Sequence, residues 1–176
     1  MSDETEQIKY TSSHVANFFL DKAEKENIPV TPMKLQKLVY IGYGWVLAVL
    51  DRKLFDEPIE AWMHGPVIPS LYHEFKRYGA SSILDKSVKF DLDNIQNLKP
   101  STPRINKHDS KNSTKVVGVL DVVWDSYKLL SAWVLRNKTH EKGTPWSEAY
   151  ENGNECLDDS TIKGHFHRKI TEYLNG

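Results

Sequence analysis

Cysteine is nearly absent: the 176 residues contain only Cys156, too few for an internal disulfide or a zinc site built from several thiolates. Charge of one sign is lacking as well, because 23 basic side chains stand against 24 acidic ones and leave a formal net charge of −1. No global field therefore holds the chain on nucleic acid or on an anionic membrane, although a local patch is compatible with this balance. Long apolar runs are missing too. The longest, LVYIGYGWVLAVL over residues 38–50, carries two glycines and is shorter than the ~20 residues that a bilayer-spanning helix needs. The leading MSDETEQIKY is acidic and polar, where a secretory signal would be basic and then apolar. These absences set the expectation of a cytoplasmic protein in a reducing compartment, with no signal peptide and no membrane partner.

What is present fits one domain over residues 1–176, since an apolar fraction of 39% supports one real core and is small for two. Ser12 or Ser13 is placed to cap a helix with Val15, Phe18, Phe19 and Ala23 on one face, closed by Asn27-Ile28-Pro29. Thr31 then stands as N-cap, with Pro32 at the first helical position, where its missing N–H has no partner to lose. The helix over residues 32–50 has Leu35, Leu38, Val39, Val46, Val49 and Leu50 on one stripe, which Tyr40, Tyr43, Trp45 and Leu47 widen. It reads as the central buried helix. Gly42 and Gly44 each cost about 1 kcal/mol relative to Ala in a helix, which points to close approach by a neighbouring element.

Ile59, Ala61 and Met63 alternate with Glu60, Trp62 and His64, giving a short strand, and Gly65-Pro66 then turns the chain. Pro69 opens a helix with Leu71, Tyr72 and Phe75 facing inward and Gly79 as its stop. SVKFD, residues 87–91, reads as a second strand, residues 99–115 as an exposed mobile loop, and residues 1–11 as a disordered tail. Residues 115–137 keep close to helical period and are expected to form one long core helix. Pro145 opens a short helix, and a last helix is capped by Ser160 or Thr161 and interrupted by Gly164. The fold class that results is mainly α, with a minor short β-hairpin or small sheet. It is a compact helical bundle around helix 32–50.

The search for chemistry returns little. THEKG at residues 139–143 lacks the second histidine of a His-Glu-x-x-His site, and His165 and His167, two apart, point in different directions on a helix. His64 and His73 lie nine residues apart across a turn and read as surface or hydrogen-bonded groups. No metal or cofactor is expected. Cys156 lies in NECLDD, where acidic neighbours raise its pKa and lower its thiolate content. No Gly-x-Ser-x-Gly elbow, phosphate loop or dinucleotide fingerprint occurs, and Asp56/Glu57 and Asp158/Asp159 read as solvated loop charge. Lys34 and Lys37 share a helix face that Lys76-Arg77 can extend, either as a weak phosphate patch or as an ordinary solvated face. Nothing in the sequence supplies a catalytic set. The stretch AWMHGPVIPSLYHEFKRYG, residues 61–79, is better read as an architectural corner that sets Trp62 and His64 on a strand end and Tyr72 and His73 on the next helix.

Three blocks, TPMKLQKLVYIGYGW, LFDEPIEAWMHGPVIPSLYHEFKRYG and THEKGTPW, resemble in order and spacing the SocA-like antitoxin family. This family is also called the Panacea domain and includes phage-associated proteins of the GepA type. The resemblance covers roughly residues 14–79 and 124–150. His64 stands before Gly-Pro where an aromatic such as Tyr is commoner, and residues 85–115 carry no clear family pattern. What the resemblance implies is a mainly helical bacterial or phage protein, without catalysis, that binds and neutralises a toxin encoded by an adjacent gene. One family branch delivers its toxin to a ClpXP-type protease. The family-motif residues Trp62, His64, Gly65, Pro66, Tyr72, His73, His140 and Trp146 are then candidates for a partner surface or for the frame behind it. Trp146 is expected to fasten the 139–146 loop to the core, and the polar loop is the candidate selector of partner. Two other readings stay open: a DNA-binding repressor of its own operon, and an enzyme whose site is assembled from scattered His and Glu, to be revealed by His64, His73 and His140 around one deep pocket.

Overall fold

The structure, a computed structural model, describes residues 10–90 and 98–175. The tail expected over residues 1–11 lies outside the described residues up to position 9, as does Asp91 at the end of the expected second strand. Among the described residues the chain is mainly α, with seven α-helices and two antiparallel two-stranded sheets.

Helix α1 spans Ser12–Glu26, and its N-cap is Thr11 rather than either serine. The Thr11 N–H donates to His14 Nδ1 at 3.1 Å. Ser12 is taken by a tertiary contact instead: its N–H and hydroxyl both donate to Glu57 Oε1, at 3.0 and 2.7 Å. Tyr10, also assigned to the tail, is 6% exposed and donates to Ser113 Oγ, so residues 10 and 11 are built into the fold. Asn27 ends α1 in the left-handed region, φ 55°, which its short polar side chain tolerates.

Helix α2, Pro32–Leu50, is the axis of the molecule. The Thr31 hydroxyl accepts from the Lys34 N–H, and Pro32 fills the first turn. Helices α1, α3, α4, α5 and α7 all pack on α2. Its two glycines are points of close approach: a Cβ on Gly42 would come 2.9 Å from Leu120 Cδ2, and one on Gly44 would overlap the Phe166 ring. Only near its end does the apolar stripe reach solvent, where Val49 is 49% exposed.

A hairpin follows, β1 Glu60–Trp62 and β2 Gly65–Val67, with Trp62 opposite Gly65, Ala61 opposite Pro66 and Glu60 opposite Val67. Gly65-Pro66 is therefore inside the second strand and the turn is made by Met63-His64. Helix α3, Pro69–Phe75, continues into a single 3₁₀ turn, Lys76–Tyr78, that stops at Gly79 with φ 55°. Leu71 and Phe75 are buried, but Tyr72 is 39% exposed, so only two of the three expected inward residues face the core. Strands β3 Lys89–Phe90 and β4 Pro100–Ser101 form the second small sheet.

The polar loop is shorter than expected. Ser110 caps helix α4, Lys111–Tyr127, by accepting from the Ser113 N–H at 2.9 Å. The long helix expected over 115–137 is two helices, since α5 begins afresh at Ala132 and runs to His140. The break follows from two polar captures: the Lys34 ammonium takes the Lys128 carbonyl, and the Ser131 hydroxyl caps α5 through the Val134 N–H. Thr144 caps α6, Pro145–Glu151, which opens at Pro145 as expected. The last helix, α7 Asp159–Asn175, is capped by Asp158, whose carboxylate accepts from the Thr161 N–H at 3.0 Å and also from the Ser160 and Thr161 hydroxyls. It runs through Gly164 without interruption.

Candidate functional site

The hairpin is held by side chains that reach its main chain from three helices. From α2, Gln36 Oε1 accepts from the Ile68 N–H at 2.9 Å while its Nε2 donates to the Ile68 carbonyl at 3.0 Å. Lys37, next in sequence, donates from Nζ to the Pro66 carbonyl at 2.9 Å. From α5, His140 Nε2 lies 3.2 Å from the Met63 carbonyl, and its Nδ1 lies 2.7 Å from the Arg136 carbonyl. From α6, the Trp146 indole donates to the Trp62 carbonyl at 2.8 Å. On the far side, the Ala61 N–H donates to the Glu155 carbonyl and the Leu157 N–H to the Ile59 carbonyl, so that Glu60 bridges to Cys156 and the sheet edge is covered.

Gly65 is required twice over. Its φ of 105° is in the region that favours glycine, and a Cβ there would sit 2.8 Å from Lys37 Nζ and 3.0 Å from His140 Cε1. Pro66 has no N–H to lose, and its carbonyl is the one Lys37 captures. His140 and Trp146 are in ring contact at 3.7 Å between centroids, and Trp146 stacks on Tyr150 at 4.8 Å. Trp146 is 8% exposed. It joins the 139–146 loop, the hairpin and α6 by packing and by one buried donor.

The outer face of the corner is different. Trp62 and Tyr72 meet edge to face at 4.8 Å, and His73 packs edge-on against Tyr72. Trp62 also donates its indole N–H to Glu60 at 2.6 Å. A cleft of about 460 Å³ opens here, lined among others by Met33, Lys37, Trp62, Met63, His64 and Tyr72. Met63 is 64% exposed. The structure thus brings Trp62, His64 and Tyr72 to one cleft and puts Gly65, Pro66, His140 and Trp146 behind it. His73 lies on the exposed flank. The three histidines named for an enzyme do not share a pocket: His64 lines the cleft, His73 does not, and both His140 nitrogens face main-chain carbonyls. Among the described residues no group of three or more His, Cys, Asp or Glu stands close enough to hold a metal ion. Cys156 is exposed, and desolvation together with the Glu60 and Glu155 carboxylates pushes its thiol up.

The basic patch is dissolved by the same geometry. Lys34 is 6% exposed and Lys37 1%, each donating to a main-chain carbonyl, and Arg77 pairs with Asp85 at 2.9 Å. Burial pushes the Lys37 ammonium down to about 7, and nearby Arg136 pushes in the same direction. His140 is lowered chiefly by burial, against the two carbonyls that favour its protonated form. Gln36 and Lys37 are the residues that periodicity missed. The available signal was that α2 is apolar around most of its circumference, which leaves no solvated face for a lysine in its second turn.

A second groove, about 490 Å³ between α2 and α4, is lined chiefly by apolar side chains including Trp45, Val49, Val119 and Val122. No helix among the described residues is long and apolar enough to cross a membrane.

Comparison with known proteins bears on the corner directly. The family model described as antitoxin SocA-like, Panacea domain matches residues 35–147, more than half of the chain, including the hairpin itself and the Gln36, Lys37, His140 and Trp146 side chains that brace it. The protein named antitoxin SocA from Caulobacter vibrioides (strain NA1000 / CB15N) is 32% identical over 132 residues, which cover 75% of this chain and 66% of that protein. No solved structure matches the chain. The chain belongs to the SocA-like antitoxin family with a Panacea domain.

Proposed function

We propose that this member of the SocA-like antitoxin family is itself an antitoxin, which neutralises a toxin encoded by an adjacent gene through a direct, stoichiometric complex in the cytoplasm. The observation that carries this reading is the family match over residues 35–147, whose span holds both the braced hairpin and the aromatic cleft in front of it. The arrangement suits binding. Met63, Tyr72 and Trp62 present apolar and aromatic surface on a frame whose main-chain groups are already satisfied, and such side chains contribute strongly at interfaces. The reading involves no catalysis by this chain. Delivery of the captured toxin to a ClpXP-type protease is an extension of the same binding step, because an adaptor must first hold its cargo. Burial of Lys34 and Lys37 takes two of the four cations away from the face that an operator phosphate would meet.

The test is expression of the neighbouring open reading frame with and without this chain, followed by co-purification. Growth arrest by the neighbour alone, rescue on co-expression and a complex of fixed stoichiometry are the expected results. A harmless neighbour, or rescue with no complex, overturns the reading.

A further inference from the structure

Lys37 is an unusual feature of the cleft. Its side chain is 1% exposed at the floor, and among the described residues its ammonium has a single acceptor, the Pro66 carbonyl. Among the described residues no carboxylate lies within ion-pair distance of it, and no acidic side chain lines the cleft. The charged group felt most strongly there is another cation, Arg136, whose own Nε is buried without a hydrogen-bond partner. Lys76, on the rim, also has no carboxylate partner among the described residues. Buried charge without a counter-charge is costly and is ordinarily paired. Around this cationic floor stand Met33 and Met63, which adapt to irregular apolar surfaces, and the Trp62–Tyr72 pair. The hairpin's carbonyls at 62, 63, 66 and 68 are occupied, so an incoming segment is recognised by its side chains rather than by added strand pairing.

We propose that the cleft between α2, the hairpin and α3 is the toxin-docking surface, and that it takes an Asp or Glu side chain of the toxin beside a large apolar residue. The carboxylate meets Lys76 at the rim, above the buried Lys37 ammonium, whose uncompensated charge attracts it through the floor, and the apolar neighbour lies on Met63, Trp62 and Tyr72. This inference rests on the neutralisation reading above. Proton linkage supports it, since a bound carboxylate favours the charged form of Lys37 and draws its pKa upward.

The experiment measures affinity between the full chain and the purified product of the adjacent gene, for the parent and four variants. Lys76→Glu and Met63→Asp lie on exposed positions and are expected to keep the parental melting temperature while weakening binding by roughly tenfold or more. Lys37→Met keeps the apolar stem, and is expected to weaken binding by about a hundredfold without unfolding the chain. Val122→Asp, in the groove between α2 and α4, is expected to bind as the parent does. One toxin Asp or Glu, changed to Asn or Gln, is expected to lose a comparable factor and to add little on top of Lys37→Met in a double-mutant cycle. Parental affinity in Lys76→Glu and Met63→Asp overturns the cleft while leaving neutralisation standing. So does loss of binding in Val122→Asp alone, or displacement of the toxin by a short single-stranded oligonucleotide that the same cleft variants abolish. A parent that does not bind the neighbour at all takes down the neutralisation reading, and the cleft assignment with it.

Discussion

In the corner from Glu60 to Ile68, three main-chain carbonyls accept from the side chains of Trp146, Lys37 and Gln36 and a fourth, that of Met63, lies 3.2 Å from His140 Nε2, whereas the described residues between 81 and 110 are tied by one buried side chain, the Ile83 N–H on the Val30 carbonyl, the packing of Ile83 and Ile105 on the core and a set of ion pairs. That buried side chain is Asn17, which donates to the Ser87 and Pro103 carbonyls at 2.9 Å each and accepts from the Ser87 N–H at 2.7 Å. The ion pairs join Arg104 to Asp21, Lys86 to Asp21 and Glu24, and Lys89 to Glu74. Buried donors are expensive to strand, while exposed ion pairs contribute little. The corner is thus braced mainly by side-chain donors on its main chain, and the described part of the segment by fewer such donors and more exposed charge.

Trp146→Ala should open the contrast widest. It removes a ring that is 8% exposed, the stacking on Tyr150 and the donor to the Trp62 carbonyl, at a cost of roughly 3–5 kcal/mol. Thermal melts are expected to show a drop of many degrees, with toxin rescue lost because the fold is lost. A variant that melts like the parent yet fails to bind would mark Trp146 as a contact residue and break the comparison.

Asn17→Ala comes next, at about 2–3 kcal/mol, because it strands two carbonyls and one N–H around Ser87 and Pro103. Hydrogen exchange at the Ser87 amide is expected to rise far more than at Ile68, which Gln36 protects. Equal loosening at both amides would mean that the segment and the corner open as one unit.

Acid separates the regions by chemistry. His14 is held below its ordinary value by burial despite Glu57, and its Nδ1 accepts the Thr11 N–H at the start of α1, beside the Ser12–Glu57 contact that leads into the hairpin. His140 is lowered as well, and His165 is pushed down to about 4 by burial beside Lys169 and Arg168. Each is a base whose folded pKa lies below its unfolded one. The unfolded chain therefore binds more protons in that window, so stability falls as pH drops from about 7 toward 4. Partial exposure of His14 and His165 limits the loss to about 1–2 kcal/mol. The segment's ties among the described residues contain no histidine, and Glu24 is held below its ordinary value by its hydrogen bond and ion pair with Lys86. Melts at pH 7 and pH 5 are expected to differ by several degrees, and an unchanged or higher value at pH 5 would contradict the assignment.

The same contrast explains what could be read from the residues. The cap and apolar girth of α2, the close approaches at Gly42 and Gly44, and the Pro145 helix start were legible, because each is a local rule acting on neighbouring residues. Lys37 was misread as surface for the opposite reason. The apolar girth of α2 already argued against a solvated lysine there, but the acceptor that allows its burial, the Pro66 carbonyl, is 29 positions away and is contained in no local pattern. The break between α4 and α5 depends likewise on Lys34 meeting the Lys128 carbonyl across 94 positions. The Ser12 cap was lost to Glu57, 45 positions on. In every case a long-range polar capture overrode a local preference that was correct in kind.

The smallest expected effect is the most discriminating. Arg104→Ala deletes the ion pair with Asp21, in which the side chains are 54% and 34% exposed. Pairs of this kind trade modest attraction against the ordering of a long side chain, and the typical net gain is small. Asp21 also keeps Lys86 as a partner, at 3.5 Å, and the neighbouring Pro103 carbonyl stays fixed by Asn17. The melting temperature should therefore move by only about 1 °C, and less in high salt. In an Asn17→Ala background the tether to Asp21 is left with the packing of Ile105 as a hold on this stretch, so the same substitution should then cost more than it does alone, a coupling that a double-mutant cycle reads directly. A drop of many degrees from Arg104→Ala in the parent would show that surface charge holds this segment as firmly as buried donors hold the corner, and the two regions would have to be regarded as one frame.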